Sequence, residues 1–216
     1  MVFMQGCPLR CICCHNPDTW DPSGGEETDT DTLFRKILRF RAYFGTNGGV
    51  TVSGGEPLLQ APFVAELFRK LKKAGIHTAL DTSGCFWNAD TEELLRVTDL
   101  VLLDHKYADE KSYRDFAGGS LQQTERFLAE LDARKIPTWL RRVVIPEKSD
   151  SPESVTALKN VAARFSCVEK IELLPFRDLC REKYQTLGIP FPLEGTPTPT
   201  AEQMKTLTAL LDETMI

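Results

Sequence analysis

Nowhere in this chain does an uninterrupted apolar stretch approach the ~20 residues that cross a bilayer, which excludes a membrane-spanning helix within it. Basic residues are outnumbered, 26 Lys and Arg against 31 Asp and Glu. The resulting net charge of -5 argues against nucleic acid as the main partner, because phosphate binding needs a basic face. Histidine is scarce, and neither His77 nor His105 has a neighbour that suggests acid–base catalysis. The chain opens without the basic-then-apolar pattern of a secretory leader. Its seven cysteines are odd in number and partly clustered, which speaks against a disulfide framework and for a reducing cytoplasm. A second domain is also missing: the Pro-rich stretch from Pro190 to Pro199 reads as a loop before a last helix, so residues 1–216 form one domain. A hydrophobic content of 42% over 216 residues supplies one substantial core.

What the chain does have is concentrated near its start. Cys7, Cys11 and Cys14 stand in Gly6-Cys7-Pro8-Leu9-Arg10-Cys11-Ile12-Cys13-Cys14-His15-Asn16-Pro17-Asp18-Thr19-Trp20, a Cys-x3-Cys-x2-Cys spacing. Three thiolates on one short loop can hold three irons of a four-iron, four-sulfur cluster, leaving the fourth iron free to bind and reduce a substrate molecule. The alternative is a structural zinc site on Cys7, Cys11, Cys14 and His15. Adjacent Cys14 and His15 are poorly spaced to point at one ion, and no second Cys-x2-Cys pair exists to complete a zinc ribbon. Cys85, Cys167 and Cys180 are scattered and read as packed thiols.

Along the chain, strand-like and helix-like segments alternate. Met1 to Gln5 is a short apolar run, and Thr32 to Phe44 carries helical spacing. Strands are predicted over Gly49–Val52, Thr78–Leu80, Leu100–Leu103, Trp139–Ile145 and Ile171–Leu174. Further helices are predicted over Ala61–Ala74, Leu121–Arg134, Ser154–Phe165 and Ala201–Thr214. Continuous apolar strands between helices imply an α/β fold with a parallel sheet covered by helices. About six units fit, fewer than the eight of a closed barrel, so an open, partial (β/α)6 barrel is expected.

In such a sheet, function gathers where strands end. Ser53-Gly54-Gly55-Glu56-Pro57 follows the second strand, Asp81-Thr82-Ser83-Gly84 the third, and Asp104-His105-Lys106 the fourth. Taken singly, these read equally as turns, helix caps or solvated charges. On the fifth strand Arg141 and Val143 fall on one side of an alternating run.

The cysteine spacing together with His15-Asn16-Pro17-Asp18-Thr19-Trp20 resembles the radical S-adenosylmethionine (SAM) family, in its glycyl-radical activating branch. The absence of a cysteine-rich insert between Trp20 and Ser53 favours the pyruvate formate-lyase type within that branch. The resemblance implies a radical SAM barrel, a [4Fe-4S] cluster on Cys7, Cys11 and Cys14, and SAM as cofactor. It implies that Gly54, Gly55 and Glu56 meet the methionine amino group, and that Lys106 and Arg141 serve in the active site. Lys106 would meet the SAM carboxylate, a use suited to a compact charge with three donors. Cys13, His15, Asn16 and Ser83 would join the SAM-binding set, and Val143 and Leu174 would line the adenine pocket. Asp81, Thr82, Asp104 and the backbone of Leu102 would supply oxygens to a monovalent cation.

Pyruvate formate-lyase as protein substrate and flavodoxin or ferredoxin as electron donor are the implied partners. Three features depart from the family pattern. Cys13 stands where an aromatic residue is usual. Arg177, in Leu173-Leu174-Pro175-Phe176-Arg177, stands where a histidine is usual, and its fork can still bind a carboxylate. The chain also begins near Cys7, about twenty residues short of the pattern counting a strand and its leading loop, so the expectation is either a misassigned start or a truncated first strand.

Overall fold

Apolar runs with both faces covered form strands, and amphipathic runs between them form the helices that cover them. In the computed structural model, which describes residues 1–46 and 48–212, six such strands make one sheet. They are β1 (Val2–Met4), β2 (Gly49–Gly54), β3 (His77–Thr82), β4 (Leu100–Asp104), β5 (Thr138–Val144) and β6 (Val168–Pro175). Their order in the sheet is their order in the chain, and every pair is parallel. This is the open α/β arrangement expected, with β1 and β6 at its two edges.

The helices are α1 (Thr30–Leu38), α2 (Ala61–Lys73), α3 (Ala89–Leu95), α4 (Glu110–Ala117), α5 (Leu121–Ala133), α6 (Pro152–Ala162), α7 (Arg181–Thr186) and α8 (Ala201–Asp212). Of the last predicted helix, Glu213 and Thr214 lie outside the described residues. The helix predicted over Thr32–Phe44 ends at Leu38 and is followed by a separate 3-10 turn, Arg41–Tyr43. Of its apolar residues beyond Leu38, Phe40 is 54% and Tyr43 85% exposed, and Phe44 packs against the core from beyond the turn. Three helices, α3, α4 and α7, were absent from the expectation. They are short, and α3 and α4 begin at side-chain caps, Asn88 accepting from the Thr91 N–H and Asp109 from the Ser112 N–H.

The main core packs Val52, Leu80, Val101, Leu103 and Leu140 of the strands against Leu67, Phe68 and Leu71 of α2 and Phe127, Leu128 and Leu131 of α5. Burial alternates along β4 and β5, so the residues between these core positions are half-buried and face the opposite side of the sheet. Register then fixes which of them meet. Asp81 lies beside Leu102, Asp104 beside Arg141, and Val143 beside Leu174.

Candidate active site

The cysteine loop leaves β1 and is held by backbone bonds from several directions. The Gly6 N–H donates to the Thr19 carbonyl at 2.8 Å, and the Arg10 and Ile12 N–H groups donate to the Ala117 and Phe116 carbonyls at 2.9 Å each. The turn after β2 closes the other flank, with the Gly55 N–H on the Met4 carbonyl and the Glu56 N–H on the Gly6 carbonyl, both at 2.8 Å. Gly54 has φ +107° and Gly55 packs directly on the Gly6 carbonyl, so a Cβ at either would strike the backbone of residues 3–6. The glycine pair lets the cysteine loop, as well as any ligand, come close.

The loop opens on a cavity of about 260 Å³ at the carboxyl ends of the strands. Cys7, Cys11, Cys13 and Cys14 line one wall, with His15 and Asn16 beside them. Gly54, Gly55 and Glu56 line a second wall, and Asp81, Thr82 and Ser83 a third. Asp104, Lys106, Arg141, Val143 and Leu174 complete it. Two predicted residues lie outside this lining, Leu102 and Arg177. Leu102 sits beside Asp81 in the sheet without reaching the cavity. Arg177 is exposed beyond the end of β6, and only its carbonyl turns toward the loop, 2.9 Å from His15 Nε2. Its guanidinium therefore does not take over a histidine's place in the cavity.

Glu56, Thr82 and Ser83 are also bonded to one another. Glu56 is 1% exposed, and its carboxylate is used within the protein. Oε1 accepts from the Leu58 N–H at 3.1 Å and the Thr82 hydroxyl at 2.5 Å. Oε2 accepts from the Ser83 N–H at 3.0 Å and the Ser83 hydroxyl at 2.5 Å. The Glu56 side chain thus ties β2 to the end of β3 through the hydroxyls of Thr82 and Ser83, within the cavity lining.

The charges that do face the cavity are paired. Lys106 Nζ donates to Asp104 Oδ2 at 2.9 Å, and Arg141 Nη1 lies 3.1 Å from Asp81 Oδ1. Burial opposes the Lys106 charge, but Asp104 and the Cys11 and Cys13 thiols outweigh it and hold its pKa well above the ordinary lysine value. Burial and the neighbouring Asp104 charge push the Asp81 carboxyl up to about 6, against the pull of Arg141 and the Ser53 hydroxyl, which donates to it at 2.9 Å. Burial likewise raises the thiols, Cys7 to about 11 and Cys13 to about 12, with Cys11 and Cys14 shifted in the same direction.

Four thiols on one polar cavity wall form a soft donor set that suits iron–sulfur chemistry. Among the described residues no three Cys, His, Asp or Glu side chains converge on one ion.

The sequence reading passed over Tyr107, whose hydroxyl is buried beside Cys13 without a partner. It also passed over the packing role of Trp20, which lines the cavity, meets Tyr184 edge-on at 5.9 Å and lies under the Arg10 guanidinium. Position directly after Asp104-His105-Lys106 was the available signal for Tyr107.

Residues 1–158 match the family model of the Radical SAM superfamily. Over 214 residues the chain is 41% identical to a pyruvate formate-lyase-activating enzyme of Clostridium pasteurianum, covering 99% of this chain and 90% of that one. It is 40% identical over 216 residues to the pyruvate formate-lyase 1-activating enzyme of Escherichia coli, with coverages of 99% and 88%. The chain belongs to the radical SAM superfamily, among its pyruvate formate-lyase-activating enzymes. The crystal structure of a domain of pyruvate-formate lyase-activating enzyme from Bacteroides vulgatus aligns with a TM-score of 0.64, covering 77% of this chain and 94% of that one. At 23% identity that likeness speaks to the radical SAM fold alone. No helix among the described residues is long and apolar enough to cross a membrane.

Proposed function

We propose that this chain is an oxidoreductase that installs a glycyl radical on a pyruvate formate-lyase. The observation that carries the reading is that Cys7, Cys11 and Cys14 open on the same cavity as Asp104 and Lys106, in a chain about two-fifths identical to named activating enzymes. When bound there, a four-iron cluster supplies the electron that cleaves SAM to methionine and a 5′-deoxyadenosyl radical, which takes a hydrogen atom from a glycine Cα.

Around that chemistry the chain's own residues bind, orient and exclude water. Cys7, Cys11 and Cys14 would hold the cluster, with Cys13 a further thiol of the same cavity lining. Lys106, directed by Asp104, meets the SAM carboxylate. Gly54 and Gly55 present backbone to the methionine end, while Glu56 braces that turn from inside. Val143 and Leu174, adjacent across β5 and β6, give the adenine an apolar face. Asp81 and Asp104, crowded enough that one carboxyl is pushed upward, are the pair a monovalent cation would relieve. Arg141 reaches Asp81 and borders the space where the target glycine enters. Glycine suits this chemistry because, lacking Cβ, its backbone fits a narrow site. Reduced flavodoxin or ferredoxin is the electron source, and the enzyme works in a reducing cytoplasm.

The test is anaerobic reconstitution with iron, sulfide, reductant and SAM. Release of 5′-deoxyadenosine is expected without any partner. Addition of pyruvate formate-lyase should produce a glycyl-radical doublet in electron paramagnetic resonance, and deuterium placed on the glycine Cα should appear in the deoxyadenosine. Deoxyadenosine with no glycyl signal would move the assignment to a radical enzyme with another substrate. Zinc instead of iron, with no deoxyadenosine, would overturn the radical reading altogether.

A further inference from the structure

Two arginines stand side by side on β5, and the alternation of the strand sends them to opposite faces. Arg141 faces the cavity. Arg142 is 1% exposed among the core side chains, and burial pushes its pKa down to about 10. A buried guanidinium is costly unless its donors are used, and here all the acceptors are neutral. Nη1 donates to the Ser154 carbonyl at 2.6 Å and the Ser154 hydroxyl at 3.1 Å, anchoring it to the first turn of α6. Its other two bonds both go to one residue, His105: Nε donates to the His105 carbonyl at 2.9 Å and Nη2 to the ring Nδ1 at 2.7 Å.

Guanidinium is a donor only, so His105 Nδ1 accepts and the ring proton sits on Nε2. That N–H points toward Glu125, whose Oε1 is 3.9 Å away, and has no closer partner. The His105 N–H in turn donates to the Arg141 carbonyl at 2.9 Å. Every hydrogen-bonding group of His105 except Nε2 is thereby fixed by β5. On the other side, the Tyr113 hydroxyl accepts from the Lys106 N–H at 3.1 Å and lies 3.2 Å from the Asp104 carbonyl. The three-residue segment carrying the cavity's Asp104–Lys106 pair is clamped between a buried arginine and a buried tyrosine.

We infer that Arg142 is a positioning residue for the reaction: through its grip on the carbonyl and ring of His105, it sets the direction in which Lys106 presents its ammonium to SAM. This rests on the reading that Lys106 meets the SAM carboxylate. Without the guanidinium, the peptide joining His105 to Lys106 keeps the Lys106 N–H bond to Tyr113 but loses the Arg142 bond to its carbonyl, so it can turn about that remaining hold and take the Lys106 side chain with it.

The experiment is a double-mutant cycle on SAM affinity, measured by calorimetric titration of anaerobically reconstituted protein, with iron content and urea unfolding recorded for each variant. Arg142→Met should weaken SAM binding about tenfold with iron retained. In a Lys106→Ala background the same substitution should cause no further loss, because its effect is routed through that ammonium. A role confined to stability would lower the unfolding midpoint yet leave the affinities additive, and would overturn the inference. If Lys106→Ala alone leaves affinity unchanged, the assignment of Lys106 falls, and this inference with it. If Lys106→Ala weakens binding while Arg142→Met does not, only the positioning role falls.

A second pair serves if Arg142→Met does not fold. His105→Asn keeps an acceptor where Nδ1 stood and should bind within about twofold of the parent, whereas His105→Leu should lose about tenfold. Equal affinities for the two would overturn the inference. In the unreconstituted protein, nitrogen-15 spectra should give His105 as the Nε2–H tautomer; an Nδ1–H ring would remove the Arg142 bond on which the inference stands.

Discussion

Lys106 and Asp104, two residues apart at the end of β4, meet at 2.9 Å inside the cavity that the cysteine loop opens on. Both side chains are on the cavity side of the sheet because a residue and its second neighbour share a strand face. The pair lets a cation stand in a buried site while keeping two of its three donors free for a ligand. Lys106→Ala and Asp104→Ala are each expected to weaken SAM binding about tenfold or more, with iron content unchanged. Calorimetric titration alongside iron analysis checks both halves. Arg177→Ala, by contrast, should leave SAM affinity at the parent value, because that side chain lies outside the cavity.

The cysteines separate by alanine scanning. Cys7→Ala, Cys11→Ala and Cys14→Ala should each lose the cluster, and Cys13→Ala should keep it, read as iron per chain and visible absorption after anaerobic reconstitution. Retention of iron by Cys14→Ala together with its loss in Cys13→Ala would transfer the third ligand to Cys13.

Glu56→Gln tests the buried carboxylate. Four donors converge on two oxygens, two of them backbone N–H groups that cannot turn away. Replacing one oxygen by an amide nitrogen sets donor against donor, an expected loss of about 1–3 kcal/mol in urea unfolding. A change of only a few tenths would mean that the turn rearranges around the amide.

Acid stability should depend on Glu125. The facing His105 ring and the Arg164 guanidinium hold its carboxyl down, at about 2. A carboxylate lowered in the folded state contributes stability that is present above its unfolded value of about 4.3 and is lost as pH falls toward the folded value. Glu125→Gln removes that contribution, so its unfolding free energy should fall less steeply than the parent's between about pH 4.5 and pH 2. Parallel curves would show that the pair does not hold the charge.

The strands were readable because buried strands leave apolar runs, continuous in Leu100 to Leu103 and broken in Trp139 to Val144 only by Arg141 and Arg142. Boundaries set by what lies opposite were not: the helical spacing past Leu38 is real, but Phe40 and Tyr43 find no core. The helices α3, α4 and α7 are too short for periodicity to stand out, although α4 buries Tyr113 and Ala117 on one face, and the caps Asn88 and Asp109 were the signals available for two of them. Most of the candidate site was visible as polar residues at strand ends. The direction of each side chain was not. Glu56 points inward because its partners, Thr82 and Ser83, lie 26 and 27 residues away, and Arg177 points outward just past the end of β6. Arg142 escaped notice beside Arg141 because its acceptors come from residues 105 and 154.

The cysteine loop is finished by the far end of the chain. Tyr184 donates its hydroxyl to the Cys14 carbonyl at 3.2 Å, and Lys183 reaches Asn16 and Asp18, both at 2.9 Å. His15 meets the Arg177 carbonyl across 162 residues of sequence. During synthesis, then, the cysteine segment leaves the ribosome well over a hundred residues before its support, at about 5–20 residues per second. For most of translation the thiols of residues 7–14 stand without their closing brace. The loop reaches its final geometry only once residues 177–184 are in place, so whatever it binds in that geometry depends on them.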